Sequence, residues 1–179
     1  MKNTSKVLFG IVLWIFMGSQ TATAQFFEEN IYYEGELSGI ASFLMEDENG
    51  DVQFLTLGGL GLKGGVGIHN DEGSLFLGVH SGVEGNFRHR TGIIPVYVNS
   101  RVAFDVSENG KIILGFGYGR SMQIGTERYA GYLRKYSIAH AIGDENMFSY
   151  FVEVANHGFR YPDGVRATTV NLGIALTFL

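Results

Sequence analysis

Seven titratable side chains fall on the polar side of alternating apolar segments: Glu36, Lys63, His80, Glu84, Arg101, Asp105 and Glu153. Carboxylates, cations and an imidazole in such places can neutralise one another as a buried salt-bridge network, or exchange partners along an ion path. Nucleophilic chemistry would instead require a serine with a histidine base and a carboxylate in reach. Ser121 and His157 are rim residues of the right types, but they lie on the fifth and seventh alternating segments rather than on neighbours, so no catalytic residue is assigned. The five histidines are scattered, and His89 has no carboxylate or histidine at ligand spacing, so neither a metal nor a cofactor is expected. The run Gly58-Gly59-Leu60-Gly61-Leu62-Lys63-Gly64-Gly65 resembles a phosphate loop only superficially. It lies inside an extended segment, where backbone amides are committed to strand pairing, rather than ahead of a helix.

The elements that must hold these residues are strands. Apolar residues recur with a period of two, broken by turn chemistry, and no long segment shows helical spacing. The pattern predicts strands over 33–45, 53–69, 74–87, 93–107, 111–125, 129–142, 147–159 and 166–179. Between them lie Asn49-Gly50, Asn70-Asp71-Glu72-Gly73, Arg90-Thr91-Gly92, Glu108-Asn109-Gly110, Thr126-Glu127, Gly143-Asp144-Glu145-Asn146 and Pro162-Asp163-Gly164. Most hold Gly with Asn or Asp, which tolerate the positive φ of hairpin turns. In the last strand Val170, Leu172, Ile174, Leu176 and Phe178 share one face, while Asn171, Gly173, Ala175 and Thr177 share the other. The fourth sets Val96, Val98, Val102, Phe104 and Val106 against Tyr97, Asn99, Arg101, Ala103 and Asp105.

Two features bound the setting. Lys2 and Lys6, the apolar run Val7 to Met17 and the small residues Ala22-Thr23-Ala24 read as a cleaved export signal over residues 1–24, leaving a single domain over 25–179. Losing two lysines takes the formal charge from −5 to about −7, which argues against nucleic acid as a partner. With no cysteine, disulfides cannot staple an exported domain, so packing and backbone pairing must hold it.

The two faces decide the architecture. Bulky side chains turned inward would describe a soluble, lipocalin-like barrel, with rows of Gly and Ala left facing water. Turned outward into lipid, they leave glycines and polar groups to fill the narrow lumen that eight strands enclose. The export signal and strands of a dozen residues or more favour the second arrangement. The expected fold is therefore all-β: an eight-stranded antiparallel up-and-down transmembrane β-barrel following an N-terminal signal peptide. Reflection through the turn centres sets Glu36 opposite Lys63, Lys63 near His80 and His80 near Arg101, at one depth, with Glu84, Asp105 and Glu153 also inward. Mixed signs at one level imply a salt-bridged plug; a gated path is the alternative. At the outer ends, Arg88, Arg90, Arg128, Arg160 and Arg166 are candidates for contact with lipid phosphates, the alternative being ordinary solvated loop charge.

The closing segment Ala175-Leu176-Thr177-Phe178-Leu179 and the segment Ile94-Pro95-Val96-Tyr97-Val98-Asn99-Ser100-Arg101 carry a family likeness. Through them the mature chain resembles the small outer-membrane β-barrel proteins of Gram-negative bacteria, the OmpA- and OmpX-like, porin-family group. That resemblance implies the bacterial outer membrane as address, membrane lipids including lipopolysaccharide as neighbours, and assembly machinery that reads the last strand of a monomer. Members typically end on the aromatic itself, whereas Leu179 follows Phe178 here. The stretch Glu153 to Gly158, followed by Pro162-Asp163-Gly164, is also similar to the seventh strand of lipid A deacylases. Glu153 stands where that pattern calls for histidine and Ala155 where it calls for serine, so the nucleophile is missing. The functional expectation is a structural, envelope-integrity role, with a narrow conduit for small solutes or hydrophobic ligands as the alternative.

Overall fold

The computed structural model describes residues 30–42, 56–87, 90–124, 129–160, 164 and 166–179. The expected signal (1–24), the turns at 49–50 and 126–127, Pro162-Asp163, and Arg88 and Arg128 lie outside the described residues. Eight antiparallel strands close into one barrel in chain order: β1 (Ile31–Ser42), β2 (Thr56–His69), β3 (Leu75–Asn86), β4 (Thr91–Ser107), β5 (Gly110–Ile124), β6 (Ala130–Ile142), β7 (Asn146–Arg160) and β8 (Arg166–Phe178). Closure pairs β1 with β8, from Tyr33 opposite Phe178 to Ala41 opposite Val170. No edge strand is left to recruit another chain.

Turn residues act as their types require. In the β2–β3 turn the Asn70 side-chain oxygen accepts hydrogen bonds from the backbone N–H groups of Ser74 and Leu75, both at 2.8 Å. Gly73 there takes φ +59°, a left-handed conformation glycine adopts without steric cost. Gly143, at φ +101°, begins the β6–β7 turn and donates its N–H to Asn109 of the β4–β5 turn, tying two hairpins together at 3.0 Å. These short turns lie at the same end of the barrel as Asn30 and Leu179.

The faces are oriented as the alternation predicts. Leu172, Ile174, Leu176 and Phe178 are exposed on the outside of β8, while Asn171, Ala175 and Thr177 are buried within. Val96, Val98, Val102, Phe104 and Val106 are likewise outside, and Tyr97, Asn99 and Arg101 inside. The lumen is filled along its length. Tyr32, Phe76, Ala103, Ile113, Ala141 and Met147 pack at the end near the short turns, and Ile93, Phe159 and Ala167 pack toward the other. Charges lie between.

Glycines on the inner face of β5 make room for those charges. A Cβ at Gly117 would sit 2.9 Å from the Tyr97 ring and 3.2 Å from the Lys135 side chain. Gly117→Val should therefore lower barrel stability by roughly 1–3 kcal/mol by overpacking. The check is the urea midpoint at which the folded band vanishes from gels of unboiled samples.

Candidate functional site

Glu34 and Glu36 stand two apart on β1, so both point into the lumen. Lys63 is the direct cross-strand partner of Glu36 on β2. Its Nζ lies 3.4 Å from Glu36, 3.4 Å from Glu84 of β3 and 2.6 Å from Glu153 of β7. Lys135 of β6 enters from the far wall, 3.3 Å from Glu36 and 2.7 Å from the second oxygen of Glu153, and donates to the Tyr97 hydroxyl at 2.9 Å. Arg101 of β4 pairs with Glu34, and its guanidinium lies between the Tyr32 and Phe76 rings, 4.9 and 4.8 Å from their centroids. Four carboxylates thus meet three cations, drawn from six of the eight strands.

Neutral polar groups complete the network. Asn171 donates to Glu153 at 2.7 Å and Thr177 to Glu34 at 2.6 Å. His80 shares a hydrogen bond with the Tyr32 hydroxyl at 3.2 Å, and its other nitrogen faces Glu34 and Glu36 at 3.8 and 3.9 Å. Glu34, Glu36 and His80 bring ligand-type atoms within 4.8 Å of one another. Arg101, Lys63 and Lys135 already balance those carboxylates, so the chemistry of the group is that of an ion-pair cluster. A cavity of about 30 Å³ beside Glu34, Asn99 and Arg101 is water-sized. Such a network joins distant strands across the axis.

Glu36, Lys63, His80, Glu84, Arg101 and Glu153 lie together in the lumen, by a register other than the one that reflection through the turns gives. Lys63 faces Gly82, and Arg101 faces Phe76. The third hairpin turns two residues earlier than Arg90-Thr91-Gly92 implies, and long side chains span the diagonal offsets. Asp105 is a correction. Its side chain is 80% exposed and pairs with Lys111 at 3.7 Å, because it lies beyond the lumen filling, beside the β4–β5 bulge where water reaches. Glu34 and Lys135 were missed. Glu34 shares its face with Glu36, a signal the alternation Tyr32-Glu34-Glu36 carries. Lys135 adjoins Arg134, so charge alone does not say which of the two turns inward.

Ser121 and His157 meet despite their separation in strand order. Ser121 Oγ and His157 Nδ1 share a hydrogen bond at 2.9 Å, and His157 Nε2 lies 3.3 Å from both Glu84 and Thr169. Gly131 on the intervening β6 faces Ser121 and has no side chain to keep them apart. The types are those of an acyl-transfer triad. Yet Ser121 and His157 are wholly buried, Glu84 is engaged by Lys63, and the Phe159 ring lies 6.1 Å from His157. In this arrangement the serine is closed to a substrate and serves the packed network.

At the rim, Arg90 is an exposed turn residue with φ +49°. Arg160 and Arg166 face each other across β7 and β8, and Arg160 donates to the Gly164 carbonyl at 2.9 Å.

No family model and no curated protein matches the chain. Solved structures do. Neisserial surface protein A superposes with a TM-score of 0.60 at 12% identity, covering 83% of this chain and 96% of that one. The N-terminal β-barrel domain of Pseudomonas aeruginosa OprF gives 0.53 at 8% identity, covering 84% and 97%. At these identities the likeness is one of fold: the eight-stranded transmembrane β-barrel.

Proposed function

From this fold we propose that the protein is a barrel of the bacterial outer membrane, exported by a cleaved signal, whose lumen is sealed by its own salt bridges and whose role is structural support of the envelope. The observation that carries the reading is the inversion of polarity. Lys63, Lys135, Glu84 and Glu153 are almost wholly buried on the axis, while leucines, valines and tyrosines stand exposed around the outside. In water that exterior would be a very large apolar patch, far beyond what soluble monomers carry. Acyl chains remove the cost. Charges inside a low-dielectric barrel are tolerable because each is paired. A closed barrel has no edge to pair with a second copy, which favours a monomer, and the apolar face of β8 is what assembly machinery would read.

Two measurements test this. The folded protein should leave membranes only with detergent and shift in mobility on boiling; release as a soluble monomer without detergent would reject the membrane location in favour of a lipocalin-like secreted barrel. In planar bilayers it should hold current at baseline. Reproducible conductance steps would replace the sealed lumen with a conduit for small solutes.

A further inference from the structure

Outward positions on β5–β8, toward the end opposite the short turns, carry arginines. On and beside β2–β4, Leu60, Phe87 and Val96 are exposed, and Arg90 is exposed ahead of β4. On β5–β8 the outward residues include Arg120, Arg134, Arg160 and Arg166, with Tyr132 and Asn156 between them and the apolar Met122 and Ile124 beyond Arg120. Val96 of β4 faces Arg120 of β5, and nearer the end Ile94 faces Met122.

These residues are neighbours within or across the ladders. Arg120 donates to the Tyr132 hydroxyl at 3.3 Å and lies over its ring, 4.7 Å from the centroid. Arg134 faces Asn156, and Arg160 faces Arg166. Like charges directly opposite on paired strands repel. Among the described residues, no carboxylate forms an ion pair with any of the four. The backbone adds a recess at the same place. The β7–β8 ladder breaks register between Asn156 and Arg160, and Gly158 takes φ +72° with Tyr132 backbone atoms 2.6 Å from where its Cβ would lie. The break opens a cavity of about 280 Å³ lined by Asn156, Gly158, Phe159, Arg160 and Arg166.

We infer that the outer rim of β5–β8 is a binding site for the phosphates of an outer-leaflet glycolipid, with Arg160 and Arg166 holding one phosphate in the β7–β8 recess and Arg120 and Arg134 a second. The inference rests on the membrane location proposed above. An arginine presents five N–H donors in a planar fork suited to phosphate oxygens, and Arg160 gives one of them to Gly164. Paired strands lie about 4.8 Å apart, so β5 to β8 spans roughly 14 Å, wider than one phosphate. That width fits a lipid carrying two phosphates, as lipopolysaccharide does. Apolar side chains below the arginines, Val154 and Val170 among them, would meet its acyl chains.

The test is native mass spectrometry of the full folded chain in detergent with bisphosphorylated lipid A, the same lipid stripped of phosphate, and inorganic phosphate. The wild type should retain the bisphosphorylated lipid selectively. Arg160→Gln with Arg166→Gln should weaken retention at least about tenfold, the loss expected for one or more charge-assisted hydrogen bonds. Lys111→Gln, at the opposite end of the barrel, should leave it unchanged. Equal retention of the stripped lipid, equal competition by inorganic phosphate, or undiminished binding by the double variant would overturn the site. Boiling-dependent mobility of each variant separates this failure from loss of fold. A barrel that extracts with detergent yet shows no arginine dependence would sink this inference and leave the membrane location standing.

Discussion

Lys135→Met should destabilise the folded barrel by about 3–5 kcal/mol, the usual consequence of removing one partner from a buried ion pair. Lys135 is 2% exposed in its side chain and serves two carboxylates, Glu36 and Glu153. Its loss would leave four buried carboxylates facing Lys63 and Arg101 alone. Glu153 retains Lys63 at 2.6 Å and Asn171, whereas among the cations Glu36 keeps only the longer 3.4 Å contact with Lys63, so the imbalance falls on Glu36. Changing Glu36→Leu together with Lys135→Met removes both charges, and should cost clearly less than the sum of the single substitutions. Urea titration of the protein folded in detergent, read by mobility of unboiled samples, measures each arm. Additive costs, or a single variant as stable as the wild type, would mean that the lumen is wet enough to screen these groups. In bilayers the single variant is also the one expected to conduct, because it unseats the far-wall contact across the axis.

The second large effect belongs to the outer surface. Ile138, Val152 and Leu172 lie on one rung of β6, β7 and β8 and are all exposed. Val152→Arg should cost the membrane-folded state about 2–4 kcal/mol if this rung sits near the bilayer midplane, as its central place in the apolar band implies. Val152→Leu should be close to neutral at the same site. The measurement is the folding free energy into phospholipid vesicles from urea. A soluble barrel would give the opposite result, because arginine on a water-exposed strand face is harmless and improves solubility. The two variants together divide the molecule: one tests the inside, the other the outside.

Much of the fold was legible because a barrel wall obeys a strict local rule. Side chains alternate along every strand, and one slipped residue would exchange lipid for lumen throughout that strand. The faces of β4 and β8 could therefore be assigned from residue types alone. Turn chemistry located the hairpins near 70, 109 and 144, where Gly and Asn permit conformations that other residues resist. The third hairpin misled, because Arg90-Thr91-Gly92 looks like the turn while Thr91 and Gly92 already belong to β4. A two-residue displacement there moves the partner of Arg101 from His80 to Phe76.

The site was less legible than its container. Glu36 and Lys63 are joined by one short reflection, and their pairing followed from it. Lys135 to Glu36 is a contact across 99 residues, made through the interior rather than along the wall. Nothing local marks it, and the adjacent Arg134 obscures the phase of β6. The contact between Ser121 and His157 depends equally on an absence, the missing side chain of Gly131 on the strand between them. Asp105 was assigned inward by alternation alone; it keeps that phase opposite Lys111 but lies past the buried Ala103, at the end of the barrel where water reaches it.

By itself, then, the amino-acid order determined the strand count, the wall polarity and the presence of opposed charges within, because each follows from period-two geometry and turn preferences acting over a few residues. Tertiary closure decided which carboxylate meets which cation, and set Arg160 against Arg166 at the rim. Both depend on the shear with which the sheet wraps round. That stagger is a property of all eight registers at once, and no single strand encodes it.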